Sequence, residues 1–290
     1  MSVVQALWLA VLQGVSELFP ISSIGHTVLI PRLIGWDLDQ QSPTFLPFLV
    51  ALHLGTASAL LCFFWRDWLA IVVALIRSVA RGKLSTDPDE RLGWLLVFGT
   101  IPTALLGFFL ESRLKALFAA PLAASVFLIC NGFIMFAGER LRRRQPAAAG
   151  QPRAGRDEGL GLESLTWRGA VLIGLAQSAA LLPGISRSGS TIVAGLLLKL
   201  RHEPAARFSF LLATPVILAA GLLEVPSFLT PEGRPLLGLA IVGGLLAGVT
   251  AFLSVKFLMR YFQIGRLDPF AYYCWAFGAL SLIVLTVARR

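Results

Sequence analysis

Pro20-Ile-Ser-Ser-Ile-Gly-His-Thr27 and Pro183-Gly-Ile-Ser-Arg-Ser-Gly-Ser-Thr191 interrupt a chain that is otherwise almost entirely lipid-soluble. Superposing Ser22 on Ser186 sets Gly25 on Gly189 and Thr27 on Thr191, with Gly184 as an insertion. Each segment also has a glutamine upstream, Gln13 in one and Gln177 in the other. Both lie in apolar regions, about 1–31 and 166–200, whose two halves are each too short to cross a bilayer. Such regions read as re-entrant helical hairpins, tolerated at membrane depth only where protein or a polar cavity covers the broken backbone.

Outward from the breaks the chain is apolar. Of 290 residues, 56% are apolar and 14% charged, and the mean hydropathy is +0.76; a soluble domain carries about 25% charged residues. The expected fold is an all-α polytopic membrane protein with six transmembrane helices, about 45–65, 91–110, 117–138, 206–224, 236–259 and 269–288, plus the two hairpins. Each half then holds one hairpin and three spans. Three is odd, so the second half enters the membrane from the opposite side: an inverted-topology repeat whose hairpin tips meet near the midplane. The domains read as a first repeat over 1–138, a basic cytoplasmic linker over 139–165 and a second repeat over 166–290. Asp67 to Lys83 reads as an amphipathic interfacial helix. Met1 to Leu12 lacks the basic n-region and cleavage site of a signal peptide.

The net charge of +9 does not point to nucleic acid, because the basic residues flank the spans instead of forming one basic domain. With the Arg140–Arg156 loop in the cytoplasm, most of the 25 lysines and arginines fall on that side, and both termini face outward. The first hairpin then opens outward and the second to the cytoplasm. Cys62, Cys130 and Cys274 sit in apolar runs and read as small core hydrophobes. Glu111, Arg113 and Lys115 read as an outer loop, Glu224, Glu232 and Arg234 as solvated, and Gly243, Gly244 and Gly248 as sites of close helix packing.

Gln13 and Glu17 are four apart, so a helix sets both on one face. A carboxylate at membrane depth costs on the order of 2.5–3.5 kcal/mol on insertion scales and is rarely idle. Glu17 is a candidate to hold a divalent cation or accept a proton, with Gln13 supplying a neutral oxygen beside it. The plainer reading is a structural hydrogen bond to the partner hairpin. Ser22 and Ser23 follow the Pro20 break, where a second short helix should begin, and at least one reads as its N-cap. Glu17, Ser23 and His26 together put acid, hydroxyl and imidazole in one short segment. His53, alone inside the first span, reads as a satisfied structural histidine.

Arg187 is a permanent cation in an apolar hairpin. Ser186, Ser188, Ser190 and Thr191 surround it, and Gly184 and Gly189 let backbone amides approach a ligand. With a helix starting near Ser190, this describes an anion site suited to phosphate. The plainer reading pairs Arg187 with Glu17 to lock the repeats together; both hold if the pair loosens when a ligand arrives.

Gln13-Gly-Val-Ser-Glu17-Leu-Phe-Pro-Ile-Ser-Ser-Ile-Gly-His26, taken with Pro183–Thr191, closely resembles the undecaprenyl-diphosphate phosphatase family, also called bacitracin-resistance proteins. Shorter matches at Phe63-Phe-Trp-Arg66, Ile101-Pro102, Phe208-Ser-Phe-Leu-Leu-Ala213 and Asp268-Pro-Phe-Ala-Tyr272 extend it along the chain. The resemblance implies removal of the terminal phosphate from undecaprenyl diphosphate, regenerating the carrier lipid of cell-wall synthesis. It maps the family's acidic pair onto Gln13 and Glu17, its serine and histidine onto Ser23 and His26, and its arginine onto Arg187. The family's first position is commonly Glu, so Gln13 leaves one negative charge fewer.

On this reading Ser22, Gly184, Ser186, Arg187, Ser188, Gly189, Ser190 and Thr191 bind substrate phosphate, and Mg²⁺ or Ca²⁺ is held through Glu17 and Gln13. Ser23 is the candidate nucleophile and His26 its base, with attack by His26 or by water as the other routes. The expected partners are the polyprenyl diphosphate and membrane lipids, with a homodimer left open and no nucleic acid. The expected location is the bacterial inner (plasma) membrane, with the site opening to the periplasmic or outer face. The alternative is a polyprenyl-phosphate transporter or flippase, which shares the inverted-repeat chamber but needs no nucleophile.

Overall fold

The computed structural model describes residues 1–36, 38–40, 42, 44–118, 120–144 and 159–287, with 111–118 as backbone alone. Among them run eleven α-helices: α1 (Val3–Ser16), α2 (Ser23–Leu33), α3 (Phe45–Phe63), α4 (Trp65–Arg81), α5 (Pro88–Phe118), α6 (Pro121–Arg144), α7 (Trp167–Ser178), α8 (Arg187–Leu197), α9 (His202–Glu224), α10 (Leu237–Tyr261) and α11 (Asp268–Val287). No strand occurs among the described residues, and one isolated bridge pairs Leu160 with Leu200. Six helical stretches are long and apolar enough to cross a membrane: Phe45–Phe63, Pro88–Leu110, Pro121–Arg144, His202–Leu229, Arg234–Tyr261 and Asp268–Val287. The protein is a multi-pass membrane protein, and these are the six spans expected from hydropathy.

Local chemistry starts the short helices. Ser2 and Gln5 form a capping box on α1, Thr166 accepts the Gly169 N–H at the start of α7, and Ser186 accepts the Gly189 N–H at the start of α8. Each cap satisfies an N–H that the first helical turn leaves without a partner. Pro121 at the first position of α6 has no N–H to satisfy.

Backbones approach closely where glycines face each other. A Cβ on Gly55 of α3 would lie 2.0 Å from the Gly244 carbonyl oxygen of α10, and one on Gly174 of α7 would lie 2.0 Å from that of Gly99 on α5. This bears out the close packing expected at Gly243, Gly244 and Gly248. At one end of the bundle, buried Glu139 of α6 accepts from His202 Nε2 of α9 at 2.8 Å and from the Leu267 N–H before α11 at 3.3 Å. Arg143 reaches Asp268 at 3.0 Å, and Arg266 pairs with the same carboxylate.

Four expectations need correction. Residues 111–118 continue α5 as helix instead of forming a loop, as the helix formers Glu111, Lys115, Ala116 and Leu117 allow. The linker expected from 139 begins only after Arg144, because the arginine-rich end of α6 remains helical; its residues 145–158 lie outside the described residues. Cys274 is buried as expected, whereas Cys62 and Cys130 are exposed, on faces of α3 and α6 turned away from the core. Glu224, read as solvated, is half-buried: it lines a cavity and accepts a hydrogen bond from Ser227 at 3.0 Å. The helix expected from Asp67 to Lys83 is α4, which buries Ile71, Ala74 and Ser78.

Candidate active site

The two breaks meet. Between α1 and α2 the chain turns through Glu17–Ile21, and Ser22 caps α2 with its Oγ 3.3 Å from the Gly25 N–H. Ser22 holds φ 68°, a conformation that costs a non-glycine residue about 1–3 kcal/mol and occurs where a site imposes it. Between α7 and α8, Gly184 holds φ 107°. A Cβ there would lie 2.4 Å from the Ala124 carbonyl oxygen, so this position favours glycine on two counts. A Cβ on Gly25 would sit 3.2 Å from Gly184 Cα, which puts the two turns in near contact.

Glu17 is the centre of the seam. Its Oε2 accepts from Ser23 Oγ at 2.5 Å and from Gln13 Nε2 at 3.0 Å, and lies 3.3 Å from His53 Nε2. Its Oε1 accepts from Arg187 Nη2 at 3.0 Å, across 170 residues of sequence. The other edge of that guanidinium, Nη1, is buried without a hydrogen-bond partner among the described residues. A buried guanidinium nitrogen with no acceptor is costly, and an anion at that edge would relieve the cost.

Glu17, Ser22, Ser23, His53, Ser186 and Arg187 all line one cavity of about 850 Å³. Gln40, Ser42, Thr103 and Gln177 add polar wall. Phe45, Leu49, Val216, Ile217 and Ala220, from α3 and α9, supply an apolar side. The cavity thus combines a charged, hydroxyl-bearing end with hydrocarbon walls, the pattern an amphiphile with an anionic head requires.

Not every expected residue stands at this wall. His26 is buried, but its Nδ1 lies 2.7 Å from the Ser22 carbonyl and its Nε2 2.7 Å from the Tyr273 hydroxyl. Its ring stacks on Phe277 with centroids 4.9 Å apart. Both ring nitrogens are thereby engaged away from Ser23, and His53 holds the place beside Glu17 expected for it. His53, read as a satisfied structural histidine, does have both ring nitrogens engaged, and its place on the cavity wall is the addition: its Nδ1 is 2.8 Å from the Leu49 carbonyl, which turns Nε2 to the Glu17 carboxylate. Ser188 donates to the Phe19 carbonyl at 3.2 Å, and Thr191 bonds Ser209 at 2.6 Å, so both knit helices together. The α8 helix begins at Arg187, not Ser190, and the Gly189 N–H is taken by its cap. Ser190 Oγ is buried without a partner among the described residues.

For a divalent cation, the fit is partial. Gln13 turns its amide nitrogen to Glu17, and its Oε1 is buried without a partner among the described residues. Among the described residues no group of three or more His, Cys, Asp or Glu is placed to hold a metal. Glu17 Oε1 meets only Arg187 among them, which leaves one carboxylate lone pair. That is a foothold for a cation that takes most of its oxygens from water and phosphate, as Mg²⁺ does.

Sequence reasoning missed His53, Gln40, Thr103 and Tyr273. The one available signal was that an ionisable residue inside a span marks function by default, and it applied to His53.

A family described as bacitracin resistance protein BacA matches residues 6–280. The chain is 49% identical to an undecaprenyl-diphosphatase of Acidiphilium cryptum over 97% of each chain. It is 47% identical to an undecaprenyl-diphosphatase of Mycolicibacterium paratuberculosis over 99% of this chain and 98% of that one. An undecaprenyl-diphosphatase 2 of Frankia alni is 43% identical over 98% of both.

Proposed function

The chain belongs to the bacitracin resistance protein BacA family, and from that premise we propose that it hydrolyses undecaprenyl diphosphate to undecaprenyl phosphate and inorganic phosphate, recycling the cell-wall carrier lipid. The relatives carry the name of that enzyme over nearly their whole length, and those names lend the transporter reading no support. One observation carries the assignment to this cavity: Ser23 and Glu17 from the first turn stand with Arg187 from the second, whose Nη1 has no partner.

The diphosphate head enters at Arg187 and the prenyl chain lies along the apolar wall of α3 and α9. Arg187 Nη1 takes a phosphoryl oxygen while Nη2 stays on Glu17, so the guanidinium binds charge and positions the carboxylate together. Ser23 Oγ attacks the terminal phosphorus in line with the bridging oxygen, and its proton passes to Glu17 Oε2, already 2.5 Å away. The phosphorus–oxygen bond to the bridge breaks. Undecaprenyl phosphate departs with the bridging oxygen, a leaving group that needs little acid help, and takes the proton from Glu17. Water then attacks the phosphoserine, Glu17 accepts its proton and returns it to Ser23 Oγ as the phosphorus–Oγ bond breaks, and inorganic phosphate leaves. Geometry favours Glu17 over His26 as the base; His26, tied to Ser22 and Tyr273, holds the turn. A Mg²⁺ or Ca²⁺ ion arriving with the substrate and touching Glu17 would neutralise phosphoryl charge.

The inverted repeat, with a first half that runs through Arg144 and a second over 166–290, is supported by reciprocal packing. Helix α1 lies against α10 of the other half and α7 against α5; α3 meets α9, and α6 meets α11. Each broken pair, α1–α2 and α7–α8, is then a re-entrant hairpin. The cavity rim at Gln40, Ser42, Glu224 and Ser227 lies at the ends of α3 and α9 away from the arginine-rich segments. Under the charge rule that rim faces outward, which supports action at the outer face of the plasma membrane.

Purified protein in detergent, given undecaprenyl or farnesyl diphosphate with and without Mg²⁺ or Ca²⁺, should release phosphate. Ser23→Ala and Arg187→Ala should each lower that release by about 10²–10³-fold. Release unaltered in either variant would sink this assignment.

A further inference from the structure

Asn131 lies in the middle of α6, fully buried, and belongs to neither turn. Its Nδ2 donates to the Pro20 carbonyl at 3.0 Å, and its Oδ1 accepts from the Ser186 N–H at 2.9 Å. The Nδ2 also lies 3.4 Å from Cys274 Sγ of α11. The two backbone groups come from the two different breaks. Pro20 sits in the turn that carries Glu17 and leads to Ser23; Ser186 immediately precedes Arg187. Neither group has a partner in a helical ladder, because one lies in a turn and the other at an N-cap.

A primary amide suits this position because it presents one donor and one acceptor on a single short rigid group. A carboxylate of the same shape supplies only the acceptor when ionised, and an aliphatic side chain supplies neither. There is also little slack around it. A Cβ on Gly189 would lie 3.3 Å from Asn131 Oδ1 and 3.4 Å from Pro20 Cβ. Ser188 Oγ donates to the Phe19 carbonyl at 3.2 Å on the same seam. The cavity side of the seam carries the Glu17–Arg187 pair; Asn131 closes its other side.

We infer that Asn131 is a positioning residue for the hydrolysis: by joining Pro20 to Ser186 it sets the register between the nucleophile-bearing turn and the arginine-bearing turn. It touches no substrate and acts through the backbone of both. A misplacement on the order of 1 Å in such a constellation costs about 10²-fold in rate, and without this amide no side chain from a third helix among the described residues hydrogen-bonds both breaks. The inference rests on the site reading given above, with Ser23 attacking and Arg187 binding.

The test is steady-state phosphate release in detergent by variants that keep the wild-type thermal unfolding midpoint. Release by wild type that Arg187→Lys lowers about 100-fold upholds the site reading by itself. Asn131→Ala should then lower kcat by about 10–100-fold with KM within about threefold, since every group that binds the diphosphate is still present. In the Arg187→Lys background the same change should cost under about threefold, because the guanidinium whose register it sets is gone. A kcat for Asn131→Ala within about twofold of wild type, or an undiminished loss in the Arg187→Lys background, overturns the positioning role. Should Asn131→Ala not reach the wild-type midpoint, Asn131→Asp replaces it: this variant keeps the shape and the acceptor for Ser186 and lacks the donor to Pro20. The same kcat loss is expected of it, and kcat within about twofold of wild type again overturns the proposal. No release by wild type, or unaltered release by Arg187→Lys, strikes the site reading instead and leaves a different signature.

Discussion

Glu17 gathers donors of four kinds, a hydroxyl, an amide, an imidazole and a guanidinium, and each can be replaced separately. His53 is the informative one, because its Nδ1 is committed to the Leu49 carbonyl and its Nε2 to the carboxylate. If its work is to donate, a neutral donor of similar reach should serve. His53→Gln is expected to keep phosphate release within about threefold of wild type, while His53→Leu, which strips a donor from a buried carboxylate, should lose about tenfold. Equal losses in the two variants, measured side by side in detergent, would count against a donor role. Glu17, Ser23 and Arg187 were legible in the sequence because an acid or a cation in apolar sequence is conspicuous by its cost. His53 was passed over because its partner lies on another element, and no spacing along one helix reveals which face meets which neighbour.

At the scale of elements, the site depends on how closely α1 and α7 lie against their partners. A Cβ on Gly14 would be 1.9 Å from Thr250 Oγ1 and 2.3 Å from the Ala247 carbonyl oxygen of α10. Part of that clash is with backbone, which cannot step aside. Gly14→Leu must therefore push α1 off α10, and a destabilisation of about 1–3 kcal/mol is expected, read as a lowered thermal midpoint in detergent. Phosphate release should fall too, since Gln13 and Glu17 sit on the displaced helix end. Gly238, with nothing within 4 Å of a Cβ, is the control: Gly238→Ala should leave the midpoint unmoved. Helix positions were largely readable, because hydropathy reports burial in lipid directly. The ends were not: α5 runs on through 118 and α6 through Arg144, past the point where charge suggests the membrane stops, since polar helix formers extend a helix beyond the bilayer without penalty.

For the molecule as a whole, the proposed orientation sets which side of the membrane reaches the cavity. In cysteine-free protein, Ser227→Cys at the rim should react with a membrane-impermeant maleimide added to intact cells. A cysteine placed at Arg201, on the arginine-rich side, should react only after permeabilisation. The reverse pattern would invert the orientation and with it the proposed outer-face action. The two halves are tied at the arginine-rich end as well, where Glu139 links α6, α9 and the start of α11. None of those contacts could be read from the chain, because residue 139 fell at the start of the segment read as a linker.

The amino-acid sequence by itself determined the solvent, the six spans, the two interrupted regions and the residues too costly to be idle in lipid. These follow from the transfer cost of individual side chains, which is a property of each residue and its near neighbours. The pairing of Glu17 with Arg187, offered by the sequence, stands in the structure; only the tertiary structure decided the other partners: Glu17 with His53, His26 with Tyr273, Asn131 with both turns. Those pairings depend on the rotation and depth of packed helices, and such angles are set by contacts between segments far apart in the chain.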